Sequence, residues 1–257
     1  MTRKVEAVSQ RLIRKGALVA ETYLLFSGWQ VGDTLEANFD RTFNGRFKTI
    51  AWENEVKTTL RRRFRDVDAA MPLILASKNG LALDEWCHWL LLWIGIREQL
   101  YRDFALNWLF PEFENGRHQV RSEDVQSFVK STWPRLSRKT IPLSDYGVVR
   151  GARDLVRMAT DFGVLTGVGP QKAFSPLHLS DRSFLYYAHA IAEAERSTSS
   201  IPQSKFWQLA LIRPTEVVEA LLRLHQFRKL DYQVAGSLVQ LTLPFESSRE
   251  YAERMVA

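Results

Sequence analysis

Apolar residues recur at three- and four-residue intervals through the first half of the chain, which is the spacing of helices that bury one face. Between residues 5 and 26 this spacing predicts a helix pair or one bent helix, with Gly16 at the bend. A second helix is predicted over residues 51–64, where apolar side chains recur on one face: Trp52, Val56, Leu60 and Phe64. The N-terminal part of the chain is therefore predicted to be helical.

The longest apolar run covers residues 86–96 and predicts the central buried helix of this N-terminal part. Asp84 is suited to cap its start, and we expect the helix to continue to Leu109 and to end at Pro111. The run is much shorter than the roughly 20 apolar residues that a membrane span needs. Apolar residues near the N-terminus are interrupted by Glu21 and are not followed by a clear signal-peptide cleavage site. We therefore expect a cytoplasmic protein with no membrane segment.

After residue 115 the pattern changes to helices followed by short strands. One helix is predicted over residues 123–132, with Ser122 as its cap, and a second over residues 146–162. A loop ending at Pro142 separates them, and two very short strands follow within residues 164–174. This order predicts a helix-turn-helix-like unit with a short wing.

A similar order returns in the C-terminal third. Helices are predicted over residues 184–195, 205–212 and 214–226, followed by a β-hairpin that turns at residues 235–237. Three helices and a terminal hairpin have the layout of a winged helix-turn-helix. The predicted fold class is therefore mostly α, with a helical N-terminal domain followed by winged helix-turn-helix-like units with short β-hairpins. The predicted domains are residues 1–115, 116–180 and 181–257.

The residues of the chain provide none of the common catalytic or metal-binding motifs. Its one cysteine, Cys87, excludes a disulfide framework and a four-cysteine zinc site, and favours a reducing compartment. Cys87 and His88 would point about 100° apart on a helix, so they are expected to be a core thiol and a partly exposed imidazole. The sequence Gly167-Val168-Gly169 is not followed by the further glycine and the helix of a phosphate-binding loop. We therefore expect no enzyme, no catalytic or metal-binding residue and no cofactor.

Positive charge is concentrated in two parts of the chain. Its formal net charge is +6, and residues 1–65 and 111–180 contain the excess of lysine and arginine. Within residues 130–157, the only acidic residues are Asp145 and Asp154. This distribution indicates a polyanionic partner such as a nucleic acid, although an ordinary solvated surface can have a similar excess.

The central basic segment contains the main candidate contacts for double-stranded DNA. Arg150, Arg153 and Arg157 share one face of the predicted helix, opposite its apolar face. The loop before this helix adds hydroxyl and cationic groups that suit phosphate oxygens: Ser137, Arg138, Lys139 and Thr140. In the alternative interpretation, the three arginines form a solvated stripe that pairs with Asp154 and Asp161.

Two other groups of basic residues are secondary candidates for DNA contacts. In the C-terminal unit they are Arg213, Arg228 and Lys229, on a surface where Glu216 and Glu219 dilute the positive charge. The third group follows the apolar face of the helix at 51–64 and consists of Arg61, Arg62 and Arg63. These three residues suit either a phosphate contact or a helix end whose dipole they complement.

The order and spacing of these elements resemble the BrxA family of the BREX bacteriophage-exclusion systems. The similar features run from residue 16 to about residue 195 and are spaced apolar and basic positions rather than one short motif. They are GALVAETYLLFSGW at 16–29, the arginine-rich helix end near Arg61, IREQLYRDFALNWLF at 96–110, SEDVQSFV at 122–129, the basic loop at 137–140, the helix at 146–162 and the turn Phe174-Ser175-Pro176.

The resemblance implies a helical, non-enzymatic protein that binds double-stranded DNA and works beside other phage-defence proteins. It also implies a likeness to NusB-type folds, which leaves RNA binding as an alternative. A third function, a protein–protein adaptor within the defence complex, is suggested by the chain's 8 Trp, 7 Tyr and 15 Phe, because Trp and Tyr are favoured at interface hot spots.

Overall fold

The computed structural model describes residues 13–137, 143–236 and 238–254, and within them the chain is mostly helical, as predicted. Among the described residues, the first helices are α1 (Val19–Ser27), α2 (Leu35–Phe43) and α3 (Ile50–Arg63). The predicted bend is present, since Gly16 has a φ of +77° and α1 begins three residues later. The part of the first predicted helix before residue 13 lies outside the described residues.

Helix α3 confirms the helix predicted over residues 51–64. Its start is capped by Thr49, whose side chain accepts a hydrogen bond from the backbone N–H of Trp52. Val56 and Leu60 are fully buried, and Phe64 continues the buried face just beyond the last turn. The apolar spacing in the sequence therefore identified which face of α3 packs against the core.

The predicted long central helix is a series of shorter helices. After α4 (Met71–Lys78) come α5 (Leu83–Arg97), α6 (Gln99–Phe104), a π-helical turn (Ala105–Leu109) and α7 (Phe110–Glu114). The prediction of one helix as far as Leu109 was wrong, because Glu98 has an extended backbone (φ −99°, ψ 97°). Pro111 does not end the helix either, since helical backbone continues from the π-helical turn into α7, which contains Pro111. No helix of the described residues is long and apolar enough to cross a membrane.

The central region contains two long helices and a small sheet. In chain order these are β1 (Gln119–Val120), α8 (Ser122–Ser137), α9 (Asp145–Asp161), β2 (Leu165–Thr166) and β3 (Lys172–Phe174). The sheet is antiparallel with the order β1-β3-β2, and Ala173 of β3 lies between Gln119 and Thr166. The predicted loop at Trp133–Pro134 was wrong, because α8 continues through Pro134 while Trp133 and Leu136 pack into the core.

The C-terminal region has the predicted helices and hairpin, with two differences. Its elements are α10 (Asp181–Glu195), 3₁₀ turns at Ile201–Gln203 and Lys205–Ala210, α11 (Pro214–Gln226), β4 (Asp231–Ala235), β5 (Leu238–Thr242) and α12 (Ser248–Arg254). The second predicted helix is a 3₁₀ turn rather than an α-helix, and α12 was not predicted. In the hairpin Asp231 pairs with Thr242 and Val234 with Val239.

One apolar core runs through all three predicted domains, from Ile13 to Ala252. The ring of Trp89 on α5 stacks on Tyr186 of α10, with the two ring centroids 3.9 Å apart. Tyr251 of α12 lies beside Trp89 at 6.0 Å between centroids. All eight tryptophans are buried or half-buried, so core packing accounts for them. The division into three domains stays a prediction.

Candidate nucleic-acid interface

Helix α9 separates an apolar face from an arginine face. Its start is capped by Ser144, whose hydroxyl accepts a hydrogen bond from the backbone N–H of Gly147 at 3.2 Å. The inward face includes Val148, Ala152, Leu155, Val156 and Ala159. On the opposite face, Arg150 is half-buried, while Arg153 and Arg157 are exposed.

The three arginines of α9 form no ion pair with any carboxylate of the described residues. Asp154 lies among them on the same helix, and burial raises the pKa of its carboxyl to about 6. Four cations oppose this rise: Arg150, Arg14, Arg157 and Lys15. Arg150 and Arg157 still attract the carboxylate of Asp154, and Arg157 that of Asp161, without forming a close ion pair among the described residues. The alternative of a solvated arginine stripe beside these two carboxylates therefore stays open, and so does binding of an outside anion by the guanidinium groups.

The N-terminal segment reaches this face through a contact with the end of α9. The carboxylate of Asp161 accepts a hydrogen bond from the backbone N–H of Ala17 at 2.8 Å. A Cβ at Gly16 would overlap the same carboxylate and would lie 3.1 Å from Nε of Arg157. Arg14 and Lys15 therefore lie next to the arginine face of α9. Sequence reasoning missed these two residues, although the charge excess in residues 1–65 was a signal for them.

The three arginines at the end of α3 have three different environments. Arg61 forms a two-pronged ion pair with Glu36, with both nitrogen–oxygen distances at 2.7 Å. Arg63 is fully buried and pairs with Glu98 at 2.6 Å, so it is not at the surface and does not belong to a DNA interface. Arg62 is half-buried and lines a cleft together with Arg14 and Lys15. Of the three, only Arg62 is both accessible and beside the basic residues near α9, because Arg63 contacts the same segment from inside the core.

The remaining candidate residues are distributed as follows. Ser137 is the last residue of α8, and Arg138, Lys139 and Thr140 lie outside the described residues. Arg213 lies over the ring of Phe113 at 4.7 Å and forms a long ion pair with Glu216 at 4.0 Å. Lys229 pairs with Asp181 at 2.8 Å. Arg228 is exposed at the end of α11, with a left-handed backbone (φ +57°).

Cys87 is part of the core and is not a reactive thiolate. Burial raises the pKa of its thiol to about 12, and the thiol donates to the backbone carbonyl of Asp161 at 3.7 Å. Burial also lowers the pKa of the neighbouring His88, which favours its neutral form. Among the described residues no group of three or more His, Cys, Asp or Glu side chains could hold a metal ion.

A sequence model of the BrxA family matches residues 47–189, which is more than half of the chain. The chain belongs to the BrxA family. This confirms the resemblance given by the spaced residues, and it makes the protein a component of a BREX phage-defence system. The match to BrxA includes α9 with its three arginines, whereas Arg14, Lys15 and α11 lie outside the matched residues. No curated protein and no solved structure matches the chain.

Proposed function

We propose that this BrxA-family protein is the non-enzymatic double-stranded DNA-binding component of its BREX system, with the arginine face of α9 towards the duplex. The observation that carries the proposal is that Arg150, Arg153 and Arg157 lie on one face without an ion-paired carboxylate among the described residues. Arginines with this spacing suit the phosphates on either side of a DNA groove.

The arrangement around α9 supports a winged helix-turn-helix mode of binding. Helices α8 and α9 follow each other and are succeeded by the β2–β3 hairpin, whose tip exposes Val168 completely. In this class of DNA-binding unit the second helix enters the major groove and its first residues approach the base edges. The first turn of α9 carries Tyr146, which is 72% exposed, whereas the other six tyrosines are buried or half-buried.

The same geometry favours duplex DNA over duplex RNA. The major groove of B-form DNA admits an α-helix, whereas that of A-form RNA is too deep and narrow for side chains to read. A helix that presents arginines and a tyrosine on its outer face is therefore suited to DNA. RNA binding of the NusB type stays a prediction of the resemblance alone.

Salt-dependent binding tests the proposal. Fluorescence anisotropy with a duplex of about 30 base pairs between about 50 and 200 mM salt should show affinity that falls steeply, since phosphate binding releases counterions. The variant Arg150/Arg153/Arg157→Ala should lower the salt slope by about 0.9 for each phosphate that is no longer neutralised. The matched control Lys205/Arg249/Arg254→Ala removes the same charge from exposed residues elsewhere and should keep the slope. An absence of binding at the lowest salt, or an unchanged slope in the α9 variant, would overturn the proposal.

An adaptor function in the defence complex is a second candidate, and it rests on the C-terminal region. Leu222, Phe227 and Val234 are large apolar side chains that are between 46% and 64% exposed. Exposed apolar residues of this kind suit a protein partner. The tryptophans do not add to this surface, because they are buried or half-buried in the core. Co-purification with another BREX protein at high salt, abolished in Phe227→Asp, would support this function. Its retention in that variant would exclude Phe227 from the interface.

A further inference from the structure

A polar cleft lies between the N-terminal segment and the outer face of α3. Its volume is about 350 Å³, and its walls carry Arg14, Lys15, Asn54, Glu55, Thr58 and Arg62. The α3 residues are spaced so that they form one surface of that helix, from its first turn to its last. The cleft therefore runs along α3 and has the residues next to Gly16 as its other wall.

The cleft is positively charged and contains neutral hydrogen-bond donors. Three cations face one carboxylate, Glu55, which lies 3.5 Å from Lys15 in an ion pair whose acidic partner is 56% exposed. The lysine side chain is 22% exposed, so the pair is partly open to solvent and weak, and a phosphate can compete for the lysine. The hydroxyl of Thr58 and the amide of Asn54 are exposed and of the type that donates to phosphate oxygens.

The cleft lies beside the arginine face of α9. Arg14 and Lys15 line the cleft, and both also act on the carboxyl of Asp154 on α9. The hydrogen bond between Asp161 and the backbone of Ala17 fixes this junction. Basic residues thus extend from Arg150 on α9, across the N-terminal segment, to Arg62 at the end of α3.

We propose that this cleft binds the sugar-phosphate backbone of the duplex whose groove α9 occupies, as a second phosphate-binding site. The inference rests on the proposed function and extends it to residues outside α9. A phosphodiester backbone fits better than a free nucleotide, because no aromatic ring of the described residues lines the cleft to stack a base. The neighbouring ring of Trp52 is covered by the ammonium group of Lys15, which lies 5.4 Å from the ring centroid.

The test compares four variants in the same anisotropy titration with the same duplex. Arg62→Ala and Arg14/Lys15→Ala remove the cleft cations, whereas Arg65→Ala removes an exposed arginine that does not line the cleft. Arg62→Ala should lower the salt slope by about 0.9. A fourfold rise in salt should therefore reduce the DNA affinity of this variant about 3.5-fold less than that of the wild-type protein. Arg62→Lys should restore the slope, and thermal unfolding should confirm that each variant is folded.

The outcomes separate this inference from the proposed function. A lower slope in both cleft variants, with Arg65→Ala unchanged, supports a second phosphate site. If DNA binding depends on the α9 arginines but is unchanged in both cleft variants, the second phosphate site is overturned while the proposed function stands. An equal effect of Arg65→Ala would also overturn it, because the effect would then reflect overall charge. Failure of the wild-type protein to bind the duplex would overturn both the second phosphate site and the proposed function.

Discussion

The carboxylate of Asp161 at the end of α9 accepts a hydrogen bond from the backbone N–H of Ala17, 144 residues earlier in the sequence. From the other side, the buried guanidinium of Arg63 donates to the carbonyl oxygen of Ala17. The segment that carries Arg14 and Lys15 is thereby fixed between α9 and α3. The extended basic surface depends on this junction as well as on the charges themselves.

Gly16→Ala should destabilise the protein by more than the backbone strain of an alanine at positive φ, because it also disturbs the junction with Asp161. Gly16 has a φ of +77°, and its new Cβ would overlap the Asp161 carboxylate. Gly45→Ala is the matched control, since Gly45 has a φ of +70° and open space around it. In urea denaturation we expect a decrease in unfolding free energy of about 1 kcal/mol for the control and roughly 2–3 kcal/mol for Gly16→Ala. Equal decreases would mean that the Asp161 hydrogen bond adds nothing.

Arg63→Ala should be strongly destabilising, because it leaves Glu98 charged and buried. Breaking one partner of such a pair typically costs about 3–5 kcal/mol, which urea denaturation would measure. The double variant Arg63→Met, Glu98→Met should recover part of that stability. Arg61→Ala, whose pair with Glu36 is exposed, should change stability by less than about 1 kcal/mol. Similar effects of Arg61→Ala and Arg63→Ala would contradict the burial difference between the two.

DNA affinity should rise as pH falls through the pKa of Asp154, which burial raises to about 6. The carboxyl is charged well above that pKa and mostly neutral about one unit below it, so acid removes one negative charge from among four cations. The repulsion between that charge and a nearby phosphate is about 1 kcal/mol, so its removal should raise the DNA affinity roughly fivefold. Asp154→Asn should bind at neutral pH as the wild-type protein does in acid. A pH response that persists in Asp154→Asn would assign it to other groups.

The raised pKa of Asp154 also has a consequence for stability, with a definite sign. Between its ordinary value of 3.8 and about 6 the folded state holds more protons than the unfolded state. The contribution of this group to stability is therefore present at low pH and disappears as pH rises through about 6. Compared with the wild-type protein, Asp154→Asn should be more stable towards urea above that pH. The advantage should vanish near the ordinary pKa of the carboxyl, and an advantage that is independent of pH would contradict this assignment.

Tyr146→Ala should weaken duplex binding without lowering the salt slope. The side chain is neutral and exposed at the start of α9, so its removal takes away a groove contact but changes no counterion release. Arg153→Ala provides the comparison, since it should reduce both affinity and slope. Anisotropy titrations of the two variants at several salt concentrations separate these effects. Unchanged affinity in Tyr146→Ala would place this side chain outside the groove.

Local spacing predicted the buried face of α3 and the arginine face of α9 because both depend on neighbouring residues. The positions of Arg150, Arg153 and Arg157 follow from three- and four-residue intervals, and so does the buried face of α3. Arg14 and Lys15 were missed because they reach α9 through a contact between distant parts of the chain. No sequence pattern near residue 16 indicates that the carboxylate of Asp161 accepts a hydrogen bond from the backbone N–H of Ala17.

Arg63 differs from the other two arginines at this helix end in a way that helical spacing does indicate. It follows Val56 and Leu60 at intervals of seven and three residues and therefore lies on the buried face of α3. Its partner could not be predicted, because Glu98 follows an apolar helix and has the sequence context of an ordinary exposed end. The break in that helix at Glu98 accompanies the buried pair, so a local backbone feature coincides with a long-range charge interaction.

Helix α12 has a consequence for the order in which the protein can complete its fold. The backbone carbonyl of Ala252 accepts a hydrogen bond from Asn79, and the hydroxyl of Tyr251 donates to the carbonyl of Arg182. The side chain of Tyr251 also packs beside Trp89 in the middle of α5. During synthesis, the Tyr251 side of Trp89 therefore stays uncovered until residue 251 has left the ribosome. Helix α5, although made early in synthesis, is therefore one of the last elements to be fully enclosed.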